Sequence, residues 1–405
     1  MFSSIEPIRL QPRDPSRVQF QALPPLSLYV HVPWCVRKCP YCDFNSHRAP
    51  AVLPEAEYLE ALKADLEQSL PLIWGRQVVS VFIGGGTPSL LSAGTLDAML
   101  ALFRAYLPLL PDAEITLEAN PGTAEAQRFK DYARSGVNRF SLGVQSFHDE
   151  ALQKLGRVHD GAQARQAIEM AQSVVQRVNV DLMYALPGQS LALAQADLAT
   201  ALSFGPEHLS LYHLTLEPNT VFAKYPPQGL PDDELALDIQ EWLIERTAEA
   251  GYQHYEISAY SLPGGQSRHN RNYWQFGDYL GIGPGAHSKL SFPDRIVRRA
   301  TTRNPEAWMQ AAVKRDASHL AEDRTVAVEE LPFEFMLNAL RLKDGVPASY
   351  YEERTGQSLS YVLPTIRRCI DKGLLAADPQ RIRASELGWR FLNDLQAEFL
   401  PDSLQ

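Results

Sequence analysis

Residues 35–42 read C-V-R-K-C-P-Y-C and gather three of the four cysteines, Cys35, Cys39 and Cys42, on one short segment. Thiolates at i, i+4 and i+7 of a single loop can wrap one corner of a cuboidal [4Fe–4S] cluster, each holding one iron. The fourth iron then lacks a protein ligand. That arrangement is poor for a plain electron carrier and good for a cluster that must bind and reduce a second molecule. Two other readings use the same residues: a zinc site completed by His31 or His47, or three separate core thiols. Zinc motifs favour a CxxC pair with a second pair further along, and this chain has no second pair. Cys369, alone in a helical stretch far downstream, reads as a small core residue rather than a fourth ligand.

Around this motif the chain alternates short β-rich runs with longer helical patterns, the rhythm of βα units on a parallel sheet. Strands are predicted at Leu28 to Val32, Val78 to Ile83, Glu114 to Glu118, Arg139 to Gly143, Val178 to Met183 and Leu209 to Leu216. Helices are predicted between them, at about Glu55 to Leu70, Thr95 to Tyr106, Ala124 to Ser135, Gly161 to Val175, Leu191 to Ser203 and Asp233 to Ala250. In the first, Leu59, Leu62, Leu66 and Leu70 form one apolar stripe for the sheet. Six units are fewer than the eight of a closed barrel, so the expected class is α/β, a partial (βα)6 TIM-like barrel.

The informative residues cluster at the strand C-termini. The cysteine loop follows the first strand and G-G-G-T-P, residues 84–88, follows the second. Glu118 ends the third, Gln145 follows the fourth and Asp181 lies late in the fifth. Singly each has a bland reading, and a lone glycine run is usually a tight strand-to-helix turn. On one rim, where βα loops converge, they read together as a pocket.

Composition narrows the class. At 405 residues the chain can bury one large core and one smaller one, and 21% charged with 45% hydrophobic residues is ordinary for a globular protein. A net charge of −10 gives no reason to expect nucleic acid. Few cysteines, most of them in one motif, fit a reducing compartment. No apolar run approaches ~18 residues, so no transmembrane span is expected. No apolar signal segment opens the chain, so a cytoplasmic location is expected, a transit peptide being the weaker reading of the first residues.

CxxxCxxC with Tyr41 before the last cysteine resembles the signature of radical S-adenosylmethionine (SAM) enzymes. The resemblance widens over L-S-L-Y-V-H-V-P-W, V-F-I-G-G-G-T-P-S-L-L, L-E-A-N-P-G-T, S-L-G-V-Q-S-F, L-G-R-V-H and D-L-M-Y-A-L-P-G-Q. Together these are similar to the oxygen-independent coproporphyrinogen III oxidase superfamily, and within it to the haem-chaperone branch, over about residues 26 to 400. The resemblance implies a [4Fe–4S] cluster on Cys35, Cys39 and Cys42, with S-adenosyl-L-methionine beside it at Tyr29, Tyr41, Gly85, Gly86, Thr87, Glu118, Gln145, Arg157 and Asp181. Arg157 would pair with the SAM carboxylate through its forked guanidinium; its bland reading is a surface ion pair with Asp160. The chemistry implied is electron transfer into the sulfonium with cleavage of a C–S bond. Whether the chain runs that reaction as an enzyme is left open by the resemblance.

Two features separate the branches. The oxidases carry a further cysteine two positions after the third cluster ligand, where this chain has Phe44, which puts porphyrinogen decarboxylation in doubt. Residues 269–274, H-N-R-N-Y-W, match the HNxxYW motif of the chaperone branch and make His269 the candidate haem ligand, since neutral imidazole ligates haem iron and aromatic neighbours can cover a porphyrin face. A lone histidine beside aromatics is otherwise more often part of a structural turn. His287 is a candidate for the same cavity, and His213 reads as a satisfied core histidine.

After Asp323 the pattern changes to helices, at Leu331 to Leu342 and on through Ile370, then a hairpin in G-L-L-A-A-D-P-Q-R-I-R-A-S and a closing helix from Glu386 to Phe399. This is a winged-helix-like order. From Val328 onward there are 9 Lys plus Arg against 12 Asp plus Glu, so a lid or docking surface is expected, not a DNA reader. The expected organisation is a flexible extension over 1–25, a radical SAM partial barrel with the haem-motif segment over 26–325, and the C-terminal domain over 326–405. The function implied is a haem chaperone, with haem-accepting proteins and a flavodoxin-type electron donor as partners; the other reading is a coproporphyrinogen oxidase or related porphyrin-modifying enzyme.

Overall fold

A computed structural model describes residues 14, 16–123 and 126–401. Its centre is six strands laid side by side in chain order: β1 (Leu26–Val32), β2 (Val78–Gly85), β3 (Leu109–Ala119), β4 (Arg139–Gln145), β5 (Arg177–Tyr184) and β6 (His208–His213). All neighbours among them are parallel, so each crossover carries a helix back across one face. The principal helices are α1 (Glu55–Ser69), α2 (Ala93–Tyr106), α3 (Ala126–Ser135), α4 (Gly161–Gln172), α5 (Leu191–Ser203) and α6 (Asp233–Glu249). Ser92, Asp160, Ser190 and Asp232 cap α2, α4, α5 and α6 by accepting from the third amide of each helix. The alternation of side chains along the strands divides the sheet. Leu28 and Val30, Val81 and Ile83, Leu117, Phe140 and Leu142, and Val178 and Val180 are buried in one apolar core with the helices. The other face carries Ser27, Tyr29 and His31, Ser80 and Phe82, Glu114 and Glu118, Ser141, Asn179 and Asp181, and encloses a polar interior.

The sheet runs past both ends of this set. On the β6 side a small hairpin is added by β7 (Gln253–His254) and β8 (Ala259–Ser261). On the β1 side β9 (Asp278–Ile282) pairs in parallel, followed by antiparallel β10 (His287–Phe292), β11 (Arg295–Thr301) and β12 (Leu320–Thr325), making a twelve-stranded sheet among the described residues. None of β9 to β12 was expected. R-I-V-R-R-A-T and L-A-E-D-R-T lack an apolar alternation because β12 is a charged, exposed edge. The sixth strand, expected to reach Leu216, stops at His213, and residues 214–217 turn onto the rim.

The C-terminal helices gather a second apolar core. Helices Leu331–Ala339, Ser349–Thr355 and Leu359–Asp371 are followed by a wing, in which Val346–Pro347 pairs with Arg381–Ile382 and Leu375 bridges Ala384. The first of them stops three residues short of the expected Leu342, and the single closing helix expected from Glu386 divides at Phe391 into Glu386–Arg390 and Leu392–Ala397. Cys369 is fully buried in this core, away from the other cysteines. Much of the expected flexible extension, 1–25, lies outside the described residues. Its described part departs from that expectation: Val18 is buried in the second core, Gln19 N–H donates to Gly356 O at 2.9 Å, and Phe20 N–H donates to Pro293 O at 3.0 Å. Among the described residues no helix is long and apolar enough to cross a membrane.

Candidate functional site

At the C-terminal end of β1 to β6 lies a cavity of about 400 Å³. Cys35, Cys39 and Cys42 form one wall as half-buried free thiols. Their loop turns tightly, with Cys42 N–H donating to Cys39 O at 3.2 Å, and the Cys42 thiol lies 3.8 Å from Ser46 Oγ. Burial raises the Cys35 and Cys42 thiols, so ligation there must displace their protons. Among the described residues no three His, Cys, Asp or Glu side chains converge on a single-ion site. The histidines that could have completed a zinc site are engaged elsewhere: His31 bonds Tyr29 Oη at 3.0 Å and Asn45 O at 2.8 Å, and His47 bonds Asn45 Oδ1 at 3.2 Å. Three thiols on one wall with no fourth partner suit a cluster corner better than zinc.

The glycine run seats this loop. Gly86 N–H donates to Val32 O and Thr87 N–H to Trp34 O, both at 2.7 Å. A Cβ at Gly86 would stand 2.6 Å from Trp34 O, and one at Gly85 2.7 Å from the His31 ring, so both must be glycine for protein packing alone. Gly85, Gly86 and Thr87 nonetheless line the cavity.

Each further strand end contributes one group. Glu118 Oε2 accepts from Gly85 N–H at 3.0 Å; burial, aided by nearby Asp181, pushes its carboxyl up to about 8. Asp181, raised by burial, accepts from Asn179 Nδ2 at 2.7 Å and from Ser141 Oγ at 3.4 Å. Gln145 sits at φ 69° where the β4–β5 register slips, a bulge that turns its side chain to the cavity. Arg157 donates to Gly143 O at 2.6 Å and lies 3.7 Å from Cys39 Sγ. It is no surface partner of Asp160, which instead caps α4 in a capping box. Burial opposes the guanidinium charge, but Tyr41 and Cys39 beside it outweigh that effect. Its buried Nε has no partner, an orphan donor on a cavity wall. Tyr41 completes the wall and packs on Phe222, whose N–H donates to Pro40 O at 3.0 Å. His213 is a rim residue of this cavity, and the satisfied core histidine of β6 is His208, held by Asn179 Oδ1 at 2.6 Å and Tyr255 Oη at 2.8 Å.

Tyr29 does not join this cavity. It lines a second one, of about 600 Å³, that shares Phe44, Gly85 and Glu118 with the first. Tyr29, Phe82, Tyr273, Trp274 and Tyr279 make the second cavity aromatic, and His269 and His287 both line it. H-N-R-N-Y-W forms most of a short helix, α7 (Arg268–Trp274), capped by Ser267 and tied down by Glu114, which accepts from the amides of Arg268 at 3.0 Å and His269 at 3.1 Å. Asn272 Nδ2 donates to Ser27 Oγ at 2.9 Å and Asp278 O at 3.0 Å, pinning α7 to β1 and β9. The His269 ring lies 5.0 Å from Phe82 and 6.4 Å from Tyr29. Its Nδ1 meets Ser80 Oγ at 3.1 Å, and Ser80 in turn donates to Ser27 Oγ at 2.8 Å. Ser80 therefore accepts from Nδ1–H, which places the lone pair on Nε2. Burial pushes His269 down to about 4, so the ring is neutral near neutral pH. Ser80, Phe82, Glu114, Asn45 and Tyr279 escaped the sequence reading. For Ser80, Phe82 and Glu114 the signal that could have found them is the polar or aromatic member of the strand alternation in V-S-V-F-I-G and E-I-T-L-E.

An open parallel barrel with three thiols after β1 and a polar rim defines a radical SAM protein, and the radical SAM superfamily model matches residues 29–197. The HemN C-terminal domain model matches residues 326–391. Coproporphyrinogen III oxidase (HemN) from Escherichia coli has the same fold, with a TM-score of 0.79 at 23% identity over 93% of this chain and 90% of that one. Heme chaperone HemW of Escherichia coli (strain K12) is 48% identical over 382 residues, 94% of this chain and 99% of that protein. Its counterpart in Bacillus subtilis (strain 168) is 32% identical over 380 residues, 92% of this chain and 99% of that protein. The chain belongs to the heme chaperone HemW family.

Proposed function

We propose that this chain is a haem chaperone: it holds a [4Fe–4S] cluster on Cys35, Cys39 and Cys42, takes S-adenosylmethionine into the first cavity, carries haem in the second and delivers it to a haem-requiring protein. The observation that carries the reading is His269, which lines the aromatic cavity as a neutral ring fixed in one tautomer by Ser80, its second ring nitrogen having no hydrogen bond among the described residues. When bound, the cluster and SAM together supply one-electron chemistry at a sulfonium. The residues around them bind and orient. Arg157 offers its orphan Nε to a carboxylate, Glu118, Gln145 and Asp181 offer acceptors and an amide to amine or hydroxyl groups, and Tyr41 shields the thiol loop. A flavodoxin-type donor and a cytoplasmic setting are parts of the same proposal. Phe44 stands on the border of both cavities where the oxidase branch has a cysteine, so no porphyrinogen decarboxylation is expected.

The test loads the reconstituted protein with haem and mixes it with an apo haemoprotein. Transfer faster than from free haem, and no decarboxylated product from coproporphyrinogen with SAM, is the expected result. Product formation would turn the reading to the oxidase. In the same preparation Cys39→Ala should lose the cluster absorbance, and full iron and sulfide content in that variant would contradict the cluster assignment.

A further inference from the structure

We propose that Arg303 anchors a propionate carboxylate of the porphyrin and so decides which edge of the macrocycle faces the mouth of the aromatic cavity. The inference rests on the haem reading of that cavity. Haem presents an apolar ring, an iron and two carboxylates. The aromatic lining suits the ring and His269 suits the iron, which leaves the anions to be matched. A carboxylate taken from water without a cation is unfavourable. Arg303 is the one Lys or Arg among the residues lining this cavity, and it is exposed at the rim with no ion pair among the described residues. Its neighbours are already engaged: Arg298 pairs with Glu334, Arg299 with Asp323, and Arg324 with Glu322 and Glu330.

The backbone beneath Arg303 is fixed. Its carbonyl accepts from Asn45 Nδ2 at 2.9 Å, and the same amide donates to Pro284 O at 2.9 Å. A Cβ at Gly285 would lie 2.4 Å from that nitrogen, so this glycine makes room for the clamp. Asn45 comes three residues after Cys42, and the guanidinium therefore springs from a loop tied to the cysteine segment. His287, close enough to Arg303 to feel its charge, offers an N–H on the same side. The wall shared with the first cavity is made by Phe44, Gly85 and Glu118 and offers a carboxylate no cation. The propionate edge thus lies toward Arg303 and the opposite edge toward Glu118.

The experiment is an anaerobic titration of the full-length, cluster-loaded protein with haem and with haem dimethyl ester, in the parent and in Arg303→Gln. The parent should bind haem about tenfold more tightly than the diester, and Arg303→Gln should weaken haem by about tenfold while leaving the diester unchanged. The Soret band should be the same in both proteins, because His269 is untouched. Equal weakening of both ligands, or none of either, overturns the assignment of Arg303 while the haem site stands. A parent that takes up neither ligand overturns the haem reading, and this inference with it.

Discussion

The two cavities share three residues, Phe44, Gly85 and Glu118, and are built on opposite plans. The first takes its polar groups from the C-terminal ends of successive strands and its thiols from a single loop. The second is aromatic and takes its lining from the inner faces of β1 and β2, a helix far along the chain, and loops of the added strands β9 to β11. A site made of strand ends is repeated, so each βα unit announces one member of it. A site made by closing a sheet with distant segments has no such periodic mark. The polar cavity suits a charged cofactor held by many hydrogen bonds; the aromatic one suits a flat apolar ligand held by one axial group.

If the two are separate in function, changes to one should leave the other intact. After loss of the haem ligand itself, the largest effect is expected for Arg157→Ala: SAM affinity, measured by equilibrium dialysis on the cluster-loaded protein, should fall by roughly 100-fold, as for loss of a buried charge partner. Its haem titration should match the parent, and a parallel loss of haem would show that the cavities act as one. Ser80→Ala removes the group that fixes the His269 tautomer, and should weaken haem by about tenfold, within the range for losing a ligand's supporting hydrogen bond, with SAM binding unchanged. Should SAM suffer and haem not, the roles of the cavities are reversed.

A third effect, on stability rather than on ligand affinity, concerns the shared wall. Glu118 is raised from the ordinary 4.5 to about 8 in the folded chain. The native state therefore holds a proton that the unfolded chain has already released across this window, and stability falls as pH rises through it. Glu118→Gln mimics the protonated carboxyl and should flatten that fall by roughly 1 kcal/mol per pH unit in urea melts of the apo protein between about pH 5 and pH 8. An unchanged slope would mean that Glu118 is ionised in the native wall.

The same contrast explains what could be read in advance. The six strands were located because Val81, Ile83, Leu117, Phe140 and Val180 make an apolar face that any parallel sheet under helices requires. Cys35, Cys39, Cys42, Glu118, Gln145 and Asp181 were brought onto one rim by the same regularity. Tyr29 opens on the second cavity because its place at the middle of β1 sets it below the rim, level with Phe82. Arg157 was open to a bland reading because sequence cannot show that Asp160 is engaged in capping a helix. β9 was missed because its parallel partner β1 lies about 250 residues earlier in the chain, and β12 because it is charged on both faces. The left-handed backbone of Gln145 comes from a register slip between two strands, which no local pattern encodes.

The central claim is that His269 presents a haem ligand to the aromatic cavity. The direct measurement is an anaerobic haem titration, followed by visible absorbance, of the cluster-loaded protein against its His269→Ala variant. Saturable binding with a histidine-ligated Soret band in the parent, weakened by more than about 100-fold in the variant with the band lost, is the predicted result. Equal binding and an identical spectrum in both proteins would contradict it and place haem elsewhere.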